Sequence, residues 1–91
     1  KKVKVSADAL REAAQCLRAL SHPMRLAIVQ LLARGERSVG EIASEFSIAH
    51  NVASTHLKLL ERCRLLGNVR NGKSVRYFIA EAHLFDLLEC I

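Results

Sequence analysis

Ninety-one residues suffice for one small domain with a modest core, and an apolar share of 51% argues for a folded chain over a disordered one. A net charge of +5 suits a polyanionic partner. No apolar run approaches the roughly 20 residues of a membrane span, and no basic amphipathic stretch with large aromatics marks a membrane-surface helix.

Cys16, Cys63 and Cys90 are odd in number and far apart, and no Cys-x-x-Cys occurs. That excludes a disulfide framework and a zinc ribbon, and it favours a reducing, cytoplasmic setting. The start, Lys-Lys-Val-Lys-Val, has neither an apolar signal core nor a Met, so native residues are expected ahead of it. The whole of 1–91 reads as a single domain.

Ser6 is placed to cap a first helix, with Asp8 in the first turn where the helix dipole favours an anion. Ala9, Leu10, Ala13, Ala14, Leu17 and Leu20 form its apolar side. Ser21-His22-Pro23 breaks it, and Pro23 suits the first position of a second helix, which needs no N–H donor there. Met24, Ala27, Ile28, Leu31 and Leu32 carry that helix towards Gly35, read as its C-cap.

Ser38 and Glu41 then spell a capping box. Val39, Ile42, Ala43 and Phe46 give a short third helix, and Ser47-Ile48 a turn. A fourth helix runs from about Ala49 to about Cys63. Its apolar arc holds Val52, Ala53, His56, Leu57, Leu59, Leu60 and Cys63, with His56 read as a packed, hydrogen-bonded histidine. Asn51, Thr55, Lys58 and Arg62 follow one another at steps of four, three and four, so they form a line on the opposite side, with Glu61 at its edge. Amide, hydroxyl and cation are the groups that meet base edges and phosphates. A short helix, a tight turn and such a helix have the shape of a helix-turn-helix. An ordinary solvated face would look the same in isolation, so the context decides.

That context is a change of period. Leu65–Arg70 and Ser74–Ile79 read as strands around Asn71-Gly72, a strong hairpin signal. Val75, Tyr77 and Ile79 share one face of the second strand, and Arg76 and Phe78 the other. A basic hairpin directly after a recognition helix is a wing. A last helix from about Ala80 carries Leu84, Leu87, Leu88 and Ile91 at helical spacing, and it is too short to be stable without a packing partner. The expected fold is therefore mainly α with one β-hairpin, in the order α-α-α-α-β-β-α, dimeric through the first and last helices.

Four segments resemble the ArsR/SmtB group of bacterial winged-helix repressors. They are Leu20-Ser-His-Pro-Met-Arg-Leu26, Ser38-Val-Gly-Glu-Ile-Ala43, Ser54-Thr-His-Leu-Lys-Leu-Leu60 and Gly72-Lys-Ser-Val-Arg-Tyr77, which together span about residues 10–85. The resemblance implies a dimer and repression relieved by a ligand. Two departures stand out. Ala49 replaces the family's Ser or Thr at the start of the recognition helix, which weakens the N-cap. Cys63-Arg64 replaces its Ala-Gly, so a positive φ there would be costly.

The family's effector sites are only partly matched. The Cys-x-Cys run of one site is Val39-Gly40-Glu41 here. Glu81 and His83 match the first pair of a second site, but two donors fall short of zinc's four. Zinc or another metal is thus an optional effector, and no cofactor is required. A third pattern pairs thiols of the second and last helices, and Gln30 stands where the former would be. Cys16 and Cys90 would approach if the end helices pack together, giving a redox pair; the plainer reading is two small buried hydrophobes.

The leading expectation is a sequence-specific regulator that binds double-stranded operator DNA as a homodimer, released by a metal, a redox signal or another small inducer. His50, Asn51, Ser54 and Thr55 are assigned to bases, and Lys58, Arg62, Arg70, Lys73 and Arg76 to phosphates. The alternative is a winged-helix module for protein–protein contacts. No supported nucleophile–base pair, phosphate loop or complete metal motif suggests an enzyme.

Overall fold

The computed structural model describes residues 6–85. Its elements run α1 (Ala7–Leu20), α2 (Pro23–Leu32), β1 (Arg37–Ser38), α3 (Val39–Phe46), α4 (His50–Arg62), β2 (Leu66–Asn71) and β3 (Ser74–Ile79). A helical turn at 83–85 follows.

Three of the four helix starts have a side-chain cap. The Ala9 N–H donates to Ser6 Oγ at 3.1 Å, and Asp8 pairs with Arg11 one turn on. The His22 ring caps α2, its Nδ1 accepting from the Met24 N–H at 3.1 Å, with Pro23 behind it. The capping box of α3 is complete: Glu41 N–H donates to Ser38 Oγ at 3.1 Å, and Ser38 N–H donates to Glu41 Oε1 at 2.8 Å. That Ser38 N–H, with Arg76 nearby, holds the Glu41 carboxyl below the usual carboxylate range. Helix α4 begins at Ala49 without a side-chain cap, as its methyl group dictates.

Helix α3 stops at Ser47, which takes the left-handed conformation at φ 54, and its N–H returns to the end of α3. Helix α4 ends at Arg62 with Cys63 as its C-cap; Arg64 just beyond is also left-handed at φ 65, and the Leu65 N–H closes on the Leu60 carbonyl at 3.1 Å. This is the wrap that normally selects Gly.

The core lies where the faces of α2, α3 and α4 meet the sheet. Ile28, Val29, Ile42, Ala53, Leu57 and Leu60 are fully buried, and Leu66, Tyr77 and Leu84 close over them. Each large aliphatic side chain buried this way contributes about 1.5–3 kcal/mol. Tyr77 faces inward, and Val75 and Ile79 pack against the same cluster. The opposite face of β3 carries Phe78, whose ring lies over Gly67; a Cβ on Gly67 would meet it at 2.7 Å.

Three details depart from the sequence expectations. First, α2 ends at Leu32, three residues before Gly35, with Ala33 as its C-cap. Second, Arg37–Ser38 add a third strand, pairing antiparallel with β3 in the order β1-β3-β2. Two residues are too few to show any alternation. Third, Asn71 pairs with Ser74, so the two loop residues are Gly72 and Lys73, not Asn71 and Gly72. Only Gly72 has positive φ, at 66, and a loop that is left-handed at its first position alone belongs to the type II′ class. Of the expected last helix, residues 83–85 are described; Leu87, Leu88, Cys90 and Ile91 lie outside the described residues.

Candidate nucleic-acid interface

The order of burial along α4 sets out the site. Ala53, Leu57 and Leu60 anchor it in the core, which turns Asn51, Thr55, Lys58 and Arg62 outward along one exposed line. His50 is exposed at the start of the helix, and Ser54 is half-buried beside the line. The Thr55 hydroxyl donates to the Asn51 carbonyl at 2.9 Å, leaving its oxygen to accept and its methyl to touch a partner. Glu61, the one carboxylate near this face, accepts a hydrogen bond from the Asn68 amide on β2, so its charge is drawn towards the hairpin.

The hairpin follows four residues after α4. Arg70 and Lys73 are exposed at and beside its tip. Arg76 is different. Its Nε donates to Glu36 Oε1 at 2.8 Å, and its guanidinium lies 3.4 Å from Glu41. Sequence reasoning put Arg76 with the phosphate contacts; in the structure it pairs with Glu36 and Glu41 and braces β3 against β1 and the start of α3. Alternation along the strand placed Arg76 correctly on the face opposite Tyr77, but the carboxylates it meets come from some 40 residues earlier.

A second brace holds the reading helix from behind. The Arg25 Nε donates to His56 Nδ1 at 3.2 Å and its Nη1 to the Ala19 carbonyl at 3.4 Å. The His22 ring lies 5.0 Å from that of His56. Burial, then the charges of Arg25 and His22, push the His56 pKa below its ordinary value of 6.5, so at neutral pH His56 is an acceptor. Arg25 was absent from the sequence-derived site because the contact joins α2 to α4 across 31 positions and leaves no spacing signal.

Two of the thiols lie close together. Cys16 on α1 donates its S–H to the Cys63 carbonyl at 3.5 Å, at the end of α4. Burial first, and a hydrogen bond with the Cys16 side chain second, push the Cys63 thiol up to about 11. Cys16 thus faces Cys63; Cys90, its expected partner, lies outside the described residues. At the other end, His83 Nδ1 sits 2.6 Å from Glu81 Oε2, which holds the Glu81 carboxyl below the usual range. Among the described residues no group of three or more His, Cys, Asp or Glu side chains is gathered to hold a metal. Two donors do not make up a zinc set.

The comparisons with known proteins agree with this geometry. A family model described as a helix-turn-helix domain matches residues 20–66. The HTH-type transcriptional repressor SmtB of Mycobacterium tuberculosis is 35% identical over 81 residues, covering 89% of this chain and 60% of that protein. The biofilm growth-associated repressor of Xylella fastidiosa is 35% identical over 80 residues, covering 88% of this chain and 70% of that one. The chain belongs to the ArsR/SmtB family. It spans about three fifths of the SmtB relative's length. Among solved structures, it is similar to the homodimeric winged helix-turn-helix DNA-binding domain of a possible ArsR-family regulator from Mycobacterium bovis. That likeness has a TM-score of 0.86 at 33% identity and covers 99% of this chain and 86% of the other. Within the ArsR/SmtB fold, α3 and α4 are the helix-turn-helix and β2–β3 the wing.

Proposed function

We propose that this chain is a dimeric transcriptional repressor of the cytoplasm, and that it binds double-stranded operator DNA. The observation that carries the reading is the exposed line Asn51, Thr55, Lys58 and Arg62, free of carboxylates and continued by Arg70 and Lys73 on the wing. His50, Asn51, Ser54 and Thr55 are offered to base edges in a major groove, and the cations to phosphates.

The dimer is supported by large apolar side chains left exposed on one chain. Leu10 and Leu17, two turns apart on α1, are 59% and 67% exposed, and Phe85 is 44% exposed. A second copy would cover them and present two recognition helices to successive major grooves. The repressor reading is supported by the names of the relatives, because SmtB and the X. fastidiosa protein are both called repressors.

The test is duplex binding at two salt concentrations, on DNA selected from a random pool and on unselected duplex, alongside the molecular mass in solution. Tight, salt-sensitive binding by a dimer is expected, with Asn51→Ala narrowing the gap between the two DNAs. Salt-insensitive or absent binding would leave the fold as a protein-contact module.

A further inference from the structure

Helices α1 and α4 do not meet flush. Between them opens a groove of about 580 Å³. Cys16 and Cys63 both line it, and both are free thiols. Arg18, Arg25, Arg62 and Arg64 line it too, against one carboxylate, Glu12. A groove with four guanidinium groups and one carboxylate concentrates small anions. Two neighbouring thiols at its wall are a two-electron reductant. Together these features select a ligand that is both anionic and thiol-reactive.

We propose that this groove admits a small anionic disulfide, of the kind oxidised glutathione represents, and that Cys16 and Cys63 reduce it by forming an internal disulfide that loosens the grip on DNA. The DNA effect rests on the repressor reading given above; the disulfide chemistry does not.

The steps follow from the geometry. The Cys16 thiol gives its proton to solvent and its sulfur attacks one sulfur of the ligand. The ligand's S–S bond breaks, and the first thiolate leaves with the electron pair and takes a proton from water. The Cys63 thiol then loses its proton and attacks the Cys16 sulfur, expelling the second thiolate, which is protonated in turn. Two protein thiols are oxidised by two electrons, and one small disulfide is reduced to two small thiols. Burial keeps Cys63 protonated in the resting protein, so it serves as the resolving group and Cys16 as the attacking one.

The position of Cys63 gives the reaction a route to DNA. Cys63 is the C-cap of α4, one residue before the left-handed Arg64 and three before β2. The resting contact runs from the Cys16 thiol to the Cys63 carbonyl. Turning the Cys63 sulfur into a bond with α1 redirects the helix end from which both the Arg62 side chain and the wing depart.

The test treats the reduced full chain with oxidised glutathione, with the uncharged 2-hydroxyethyl disulfide and with cationic cystamine, at equal concentration. Peptide mass mapping is expected to show a Cys16–Cys63 link. Its formation should be about tenfold faster with oxidised glutathione than with cystamine, a preference that shrinks at high salt. Cys90→Ser should behave like the parent, and Cys63→Ser should stop at a stable mixed disulfide on Cys16. Duplex affinity should fall about tenfold on oxidation and return with dithiothreitol. A link through Cys90, no Cys16–Cys63 link, or equal rates for the three disulfides would overturn the proposal. So would a Cys16–Cys63 link that leaves duplex affinity unchanged. If the reduced chain binds no duplex at all, the repressor reading fails, while the link and its charge preference still report on the groove.

Discussion

Lys73→Ala offers the most direct measure of how the chain meets a polyanion. Four cations per chain are exposed on the reading side: Lys58, Arg62, Arg70 and Lys73. A dimer would bring eight. If each neutralises one phosphate, the logarithm of the binding constant should fall against the logarithm of salt with a slope of about −7. Raising salt from 50 to 200 mM would then weaken binding by about 2 × 10⁴-fold. Lys73→Ala removes two contacts per dimer, which reduces the slope to about −5.4 and the loss over the same interval to about 2 × 10³-fold. Lys73 is one of the two residues of the hairpin loop, so its removal leaves the core untouched. The assay is fluorescence anisotropy on selected and unselected duplex at five salt concentrations. The weakening should be the same on both DNAs, because a phosphate contact carries no sequence information. An unchanged slope, or a loss confined to the selected duplex, would refute the placement of the wing tip on the backbone.

Three further outcomes follow from local features. Ala49→Ser should supply the missing cap of α4 and stabilise the fold by about 1 kcal/mol, raising Tm by about 4–8 °C in a scanning melt; an unchanged Tm would show that the Ala49 backbone does not present a cap geometry in solution. Arg64→Gly should relieve a left-handed residue and gain about 0.5 kcal/mol after the entropy of the freer unfolded chain is subtracted, whereas Arg64→Ala, which keeps the strain, should gain nothing. For His56, the folded pKa lies below 6.5. Between that lowered value and 6.5 the unfolded chain binds more protons than the folded one, so stability rises with pH across this window and is lost as pH falls through it. Urea midpoints should therefore drop from pH 7.5 to 5.5, and the drop should be smaller in His56→Gln; an equal drop in both would assign the pH response to another group.

The parts of the fold visible in the residues alone are those fixed by neighbours a turn or two away. Ser38 and Glu41 announce the start of α3 because a capping box is closed within four residues. The stripe on α4 is visible because 3.6-residue periodicity is local. The strain at Arg64 could be anticipated, since a wrap at a helix end asks for Gly. Strand β3 lies at its expected bounds and β2 one residue later than expected, because Asn-Gly fits one turn class while the observed register uses Gly72 as the first loop position. What stayed hidden depends on contacts between distant segments. Strand β1 exists only because β3 offers it an edge. The pairing of Arg76 with Glu36 and Glu41 joins segments some 40 residues apart. The approach of Cys16 to Cys63 left no mark, because helical spacing gives Cys63 as interior and cannot show that α1 crosses the end of α4. The bond from Arg25 to His56 had no sequence signature.

The short strand β1 has a mechanical consequence. Strand β3, the inner strand of the wing, is hydrogen-bonded on both edges, to β2 and to the residues that immediately precede α3. Arg76 fastens the same joint with two carboxylates. The hairpin is thus a lever whose fulcrum lies at the foot of α3. Pressure on its tip from a phosphate ridge would be passed as torque to the helix that supports α4, so bent and straight duplexes would be felt differently by the reading head.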